Sequence, residues 1–304
     1  MGSKTERRTD DSGLNLQPTN GEGGGLLVAK ESLYDPRKER ILWWRGAPQK
    51  VIEYEGNNAV DKDGNTYWYG PGLRLLIGDP EKGDAIEVMD SCETPWAVAT
   101  VDKAFEELRS KSGKLNVLGR GFGLGITARK VIQNLIPRGG SYTVIELNKE
   151  NATYAKRDWR PKQISALASM ASGMPATKPN IDIDIIEGEA YEETAKLAAA
   201  GRKFDLVISD TFPLTEEEIG INDLQDLDVV KHCLEPNGIF TFFVYFPGST
   251  DEMAHKQAAM VTRHFINYSG SRASITPPPD YKYLQTDTGP IRSLPVVICK
   301  NPTP

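Results

Sequence analysis

The chain has 304 residues, 26% of them charged and 39% hydrophobic, with a formal net charge of −6. That length suits one large domain or a core with a smaller extension, and an acidic chain without a basic stripe argues against nucleic acid and mildly favours a neutral or cationic partner. No apolar run approaches ~18 residues, the N-terminus lacks a secretory stretch, and Cys92, Cys233 and Cys299 form neither a disulfide framework nor a metal cluster, so a reduced cytoplasmic protein without a membrane span is expected.

Residues 1–25 lack apolar periodicity, end in glycines and read as a disordered tail. From 26 to 88 short β-prone pieces follow, "ILWWRG", "KVIEYEG", "NTYWYG" and "LRLLIGD", with a turn expected at Asp61–Asn65; this is a small β-rich N-terminal extension. From residue 89 to 304 the texture is that of one larger domain. "ETPWAVATVDKAFEELRSKSG" predicts a helix with Thr94 as N-cap and Pro95 at its first position. Ala97, Val98, Val101, Ala104, Phe105 and Leu108 then fall on one face. "KLNVLG" predicts a buried strand and "LGITARKVIQNLI" a helix; "SYTVIELN" is a second strand and "NATYAKRDW" its helix. Ile164–Pro179 reads as a mobile insertion of small residues with a short helix. "IDIDIIEG", "FDLVISD" and "IFTFFVYF" are further strands, separated by helices at Tyr191–Ala200 and in "DLDVVKHCLEPNG". Strands alternating with helices predict an α/β, doubly wound, mostly parallel sheet covered on both faces.

Two places along this alternation carry cofactor chemistry. In "NVLGRGFGLG" a strand opens directly into Gly119, Gly121, Gly123 and Gly125, with Phe122 between, and then a helix. Glycines at such a turn let the backbone approach a ligand at the helix start; a tight turn without a ligand is the bland alternative. Glu146 ends the next strand, where a carboxylate can accept both hydroxyls of a ribose, or merely favour the following helix N-terminus. Together they point to a nucleoside-bearing cofactor, nicotinamide or S-adenosylmethionine, whose adenine would border Gly188 to Tyr191. Asp210 is a third place, a carboxylate closing the apolar strand "FDLVISD" where ligands bind in open α/β sheets.

"FDLVISDTFPLTEEE" is similar to a motif of the guanidinoacetate N-methyltransferases, where Asp-Thr-Tyr-Pro-Leu follows an apolar strand. Other segments match in the same order: "MDSCETPWA" from Met89, "VLGRGFGLGITARKV", "IELN", "RDWRPKQ" and "ITPPPDYKYL". The resemblance spans Met89 to about Lys300 and is shared with arginine δ-nitrogen methyltransferases. It implies a class I, Rossmann-like methyltransferase with a seven-stranded sheet and S-adenosyl-L-methionine as cofactor, contacted by Met89, the glycine turn, Glu146 and Asn148. The family carries an acid at the position of Gly119 that helps to hold the donor's amino group. Its short members have no counterpart to the segment before Met89 or to the 164–179 insertion.

Methyl transfer to a guanidine requires an acceptor short of a proton. A guanidinium releases its proton near pKa ~13 and a free Asp near ~4, so complete prior transfer would cost about 12 kcal/mol. The acid must therefore take the proton as the bond forms, or have its own affinity raised by burial. By chemistry and resemblance Asp210 is the expected proton acceptor and Glu93 the orienting carboxylate, with Thr211 and Tyr245 lining the substrate. Glu93 as a helix-dipole partner and Asp210 as a turn former are the simpler alternatives. The expected function is N-methylation of a small guanidino or amino compound. A different N- or O-acceptor and a non-catalytic cofactor-binding module stay open, as does a homodimer. No metal, nucleic acid or membrane partner is expected, and the three histidines and Trp43–Trp44 are expected to be structural.

Overall fold

The computed structural model describes residues 36–60, 64, 66–171, 180–243, 251–280, 285–286, 289–290 and 293–302. The expected tail, the turn residues Asp61, Lys62, Asp63 and Asn65, the 172–179 part of the insertion and Tyr245 lie outside them. No described helix is long and apolar enough to cross a membrane.

The first element is a helix, α1 (Pro36–Gly46), so "ILWWRG" is not a strand. Pro36 has its φ fixed for a helical first turn, and Glu39 in the first turn and Arg45 in the last suit the helix dipole. Five strands follow: β1 (Gln49–Tyr54), β2 (Asn57–Val60), β3 (Thr66–Tyr69), β4 (Gly72–Ile77) and β5 (Ile86–Asp90). β4 lies between β1 and β5, antiparallel to both, while β2 and β3 pair with each other. The described part of the extension is thus β-rich with a helix in front.

A 3₁₀ turn (Ser91–Glu93) leads into α2 (Thr94–Glu107), whose N-cap is Glu93, one residue earlier than expected. Ala97, Val101, Ala104 and Phe105 are buried along its inner face, as the 3.6-residue period requires. Then come β6 (Leu115–Arg120), α3 (Ile126–Leu135), β7 (Gly140–Glu146) and α4 (Lys149–Tyr154). A π-turn at Ala155–Trp159 joins α4 to α5 (Arg160–Ala171), so the helix expected to stop at Trp159 continues into the insertion. The wider turn sits just ahead of Pro161, whose ring lacks an amide and crowds the carbonyl four residues back. The chain goes on through β8 (Ile181–Glu187), α6 (Ala190–Ala199), β9 (Phe204–Ser209), α7 (Leu227–Cys233) and β10 (Leu234–Phe242). The Pro236–Gly238 signal therefore lies in a bulged strand rather than ending a helix. It closes with α8 (Asp251–Thr262), β11 (Ile266–Ser274), the short pair β12 (Gln285–Thr286) and β13 (Gly289–Pro290), and β14 (Ser293–Lys300).

Seven strands form the main sheet in the order β8–β7–β6–β9–β10–β14–β11. The first five are parallel, and β14 runs antiparallel to both β10 and β11. All six residues of β9 are buried, because both faces are covered. One face packs Val117, Val144, Leu206 and Ile208 against α2, α3 and Trp159; the other packs Leu118, Val207 and Phe240 against α6, α7 and α8. The crossovers change sides between β6 and β9. That junction is the switch point of the sheet, where a crevice opens at the carboxyl ends of the strands.

Candidate functional site

Backbone bonds beyond the strand ends define this rim. The amide of Gly121 donates to the carbonyl of Ile145 (2.9 Å), that of Asp210 to Arg120 (2.9 Å), that of Gly188 to Glu146 (3.0 Å) and that of Phe243 to Ser209 (2.9 Å). The glycine turn, Glu146, Gly188 and Asp210 are thereby brought to one edge.

Gly121 has φ +90°, and a Cβ there would lie 2.1 Å from the carbonyl oxygen of Asp210. Only glycine lets the turn come this close to β9. Its amides are already engaged: those of Phe122 and Gly123 donate to Glu146 Oε2 (3.1 and 3.4 Å), and that of Leu124 to the thioether of Met89 (3.3 Å). Glu146 also accepts from the Asn148 amide (2.8 Å) and from Asn151 Nδ2 (3.1 Å). Burial raises its pKa, while bonds from Asn148, Phe122, Gly123 and Asn151 oppose the rise. Gly125 caps α3 with φ +71°, and the ring of Phe122 packs edge-on into Trp159 with centroids 5.2 Å apart. A Cβ at Gly119 would meet the hydroxyl of buried Tyr142 at 2.5 Å, so that hydroxyl fills the place where a side chain at 119 would stand.

Asp210 follows β9 directly and is half-buried. Burial, with the charge of Asp223 adding to it, pushes its carboxyl up to about 7, with the neighbouring Thr127 opposing the rise. Asp223 lies in a 3₁₀ turn (Asn222–Leu224) and is 2% exposed. One of its oxygens, Oδ1, accepts from Ser209 Oγ (2.8 Å), Thr211 Oγ1 (2.5 Å) and the Thr211 amide (3.3 Å). The other, Oδ2, has no hydrogen-bond partner among the described residues. Burial raises Asp223 to about 6, opposed by Arg120 and by those hydrogen bonds. Arg120, fully buried, binds Asp226 through Nη2 (2.9 Å), while its Nε and Nη1 find no partner among the described residues. Nothing in the sequence marked Asp223 or Arg120; each gains its meaning from a neighbour distant along the chain.

Glu93 is 4% exposed, and its side chain makes no capping bond to α2. The turn bearing it is fixed by Asp90, which accepts from the Cys92 amide (2.8 Å), Tyr54 Oη (2.6 Å) and Arg74 Nε (3.1 Å). Arg74 also binds Glu87 (2.8 Å) and Asp280 (3.0 Å), tying the Pro-Pro-Pro-Asp segment to β4. Cys92 and Trp96 pack with Ile126 and Phe243, residues adjoining Thr127 and the end of β9. Glu93 and Asp210 therefore lie at the same end of the sheet.

Two other expected contacts are engaged elsewhere. Asn148 Nδ2 donates to the carbonyls of Trp44 and Ala47 (both 2.8 Å), and its Oδ1 caps α4 at Asn151 (3.0 Å). Tyr191 has two guanidinium groups over its ring, Arg37 at 4.8 Å and Arg120 at 5.1 Å, and its hydroxyl donates to the carbonyl of Asn222. α1 roofs this end: Trp44 packs on Phe212 (centroids 5.3 Å) beside Leu147 and Leu214, and Arg37 binds Glu218 (2.7 Å) and Glu189 (3.0 Å).

No family model and no curated protein matches this chain. Among solved structures it is similar to a spermidine synthase from Thermotoga maritima, at 13% identity and a TM-score of 0.48 over 84% of this chain and 82% of that one. A probable spermidine synthase from Corynebacterium glutamicum is 16% identical, with a TM-score of 0.46 over 82% and 79%. Human methyltransferase-like protein 13, in complex with SAH, is 15% identical, with a TM-score of 0.39 over 70% and 82%. The strand order, the side-switch between β6 and β9 and the antiparallel β14 make this a class I methyltransferase-like α/β fold.

Proposed function

We propose that the chain is an S-adenosylmethionine-dependent N-methyltransferase acting on a small guanidino or amino compound. The observation that carries this reading is the pairing of Asp210 with a glycine turn whose Phe122 and Gly123 amides are already taken by Glu146. A dinucleotide would bring a pyrophosphate to those amides and meet the carboxylate instead. A sulfonium donor carries positive charge and no phosphate, and it suits an acid-lined crevice. Gly121, lacking a side chain, lets the turn approach Asp210 closely at the rim of this crevice. Met89, the glycine turn and Glu146 would hold the donor, with the Tyr142 hydroxyl standing where the resembled family has an acid. When bound, the donor supplies an electrophilic methyl group on sulfur.

The chain's own residues supply orientation and a proton acceptor. Alignment of acceptor with donor is worth roughly 7–11 kcal/mol. Glu93 and Asp210 can grip a planar cation through paired hydrogen bonds. Asp210, with its affinity for protons raised toward neutrality, takes the acceptor's proton as the new bond forms. Asn148 and Tyr191 serve the roof and the charge cluster around it rather than the donor.

The test is mass spectrometry of products from S-adenosylmethionine with a panel of guanidines, primary amines, alcohols and carboxylates, combined with calorimetry of S-adenosylhomocysteine. We expect methylation of a basic acceptor. Asp210→Asn should keep S-adenosylhomocysteine binding and lose about 10²–10⁴-fold in turnover. Turnover confined to alcohols or carboxylates would move the acceptor class. Near-normal turnover by Asp210→Asn would remove the base, and absent S-adenosylhomocysteine binding would overturn the donor.

A further inference from the structure

We propose that Asp223 is the positioning residue for Asp210, clamping its two chain neighbours from behind while holding a second negative charge near it. This rests on Asp210 as the proton acceptor. In extended chain, alternate side chains point to opposite sides. Ser209 and Thr211 flank Asp210, and both donate to the same Asp223 oxygen, at 2.8 and 2.5 Å. Holding both from one side fixes Asp210 toward the other. Asn222 completes the clamp, its Nδ2 donating to the Thr211 carbonyl at 2.6 Å.

An asparagine at 223 could accept the same bonds without the cost of burying a charge. The acid leaves one oxygen without a partner among the described residues, an expensive arrangement for a clamp alone. What the acid adds is its field. Among the groups that act on the pair, Asp223 raises the proton affinity of Asp210, Thr127 on α3 opposes it, and Arg120 on β6 faces Asp223. The hydroxyl of Tyr142 on β7 feels the Asp210 charge in turn. The like charge keeps Asp210 basic enough to accept a proton from a cationic acceptor.

The experiment is carbon-13 NMR of the full chain labelled at aspartate carboxyls, the Asp210 signal being the one lost in Asp210→Asn, alongside pH–rate profiles. Asp223→Asn should lower the Asp210 titration midpoint by at least about half a pH unit, with the rate profile following it to lower pH. Asp223→Ala, which also loses the clamp, should turn over at least about tenfold more slowly than Asp223→Asn at pH 9. If neither variant folds, Thr211→Val removes one strut and should lower turnover at pH 9 by a similar factor; wild-type turnover there would overturn the clamp. An unmoved Asp210 midpoint in Asp223→Asn, or equal turnover of the two Asp223 variants at pH 9, also overturns the proposal. A wild-type chain that methylates nothing counts against the function, while the NMR midpoint still decides the charge coupling.

Discussion

Gly119 and the hydroxyl of Tyr142 compete for one space. Gly119 is not among the residues with positive φ, so alanine suits its backbone and the whole cost of substitution is steric. A methyl group there would stand 2.5 Å from Tyr142 Oη and 3.1 Å from two ring carbons of a side chain that is 1% exposed. Gly119→Ala should therefore destabilise the fold by about 1–3 kcal/mol in urea unfolding. Gly119→Ala combined with Tyr142→Phe should recover most of that loss, because the closest contact is gone. Simple additivity of the two changes would show that the hydroxyl does not occupy the gap. The missing acid at 119 was legible in the sequence, but its replacement was not. In the parallel register Gly119 stands opposite Val144 and Tyr142 opposite Val117, so the contact is a diagonal across two strands. Asp223 escaped for a related reason: it sits in an irregular stretch between β9 and α7 and touches the residues on either side of Asp210 only once folded.

At the scale of elements, hydrophobic period was a sound guide wherever one face of a helix or both faces of a strand are buried. β6 to β9 and the inner face of α2 follow from it directly. It failed at α1, where "PRKER" hides the helical period and the six residues after it look like a strand. α1 is held by partners far along the chain. Asn148 ties two carbonyls at the end of α1 to the start of α4, and Arg40 Nε donates to the carbonyl of Leu214 at 3.2 Å. Asn148→Asp keeps the acceptor that caps α4 but loses both donors, leaving two helix-end carbonyls unpaired beside a carboxylate. The expected loss is about 1–3 kcal/mol, concentrated in the roof. Hydrogen exchange should show faster exchange across residues 36–47 while β6 and β9 keep their protection. Unchanged exchange in that segment would mean that Trp44 packing alone anchors α1.

For the whole molecule, the unusual feature is that buried and half-buried carboxylates at the sheet rim bind protons more tightly folded than unfolded. Asp210 and Asp223 rise from 3.8 to about 7 and about 6, and burial is the first cause for both. Glu146 and Asp226 are raised in the same direction and for the same first cause. Below the unfolded pKa both states are protonated and these groups have no effect. As the pH rises from about 4 toward 7 the unfolded chain releases its protons first, so stability falls, and the full penalty is present above the folded pKa. A tenfold change in proton affinity is worth about 1.4 kcal/mol, so the combined effect is on the order of a few kcal/mol. The lowered carboxylates lie elsewhere and are mostly exposed, where screening limits their opposing effect. The thermal midpoint should accordingly drop by several degrees between pH 5 and pH 8. Asp210→Asn removes one of these contributions, so the variant should be more stable than the wild type at pH 8, equal to it near pH 4, and poorly active throughout. Calorimetric scans of both proteins across that range decide it: parallel pH profiles would mean that Asp210 is solvated enough to ionise without cost, leaving proton transfer concerted with bond formation as the one route open to an unraised carboxylate.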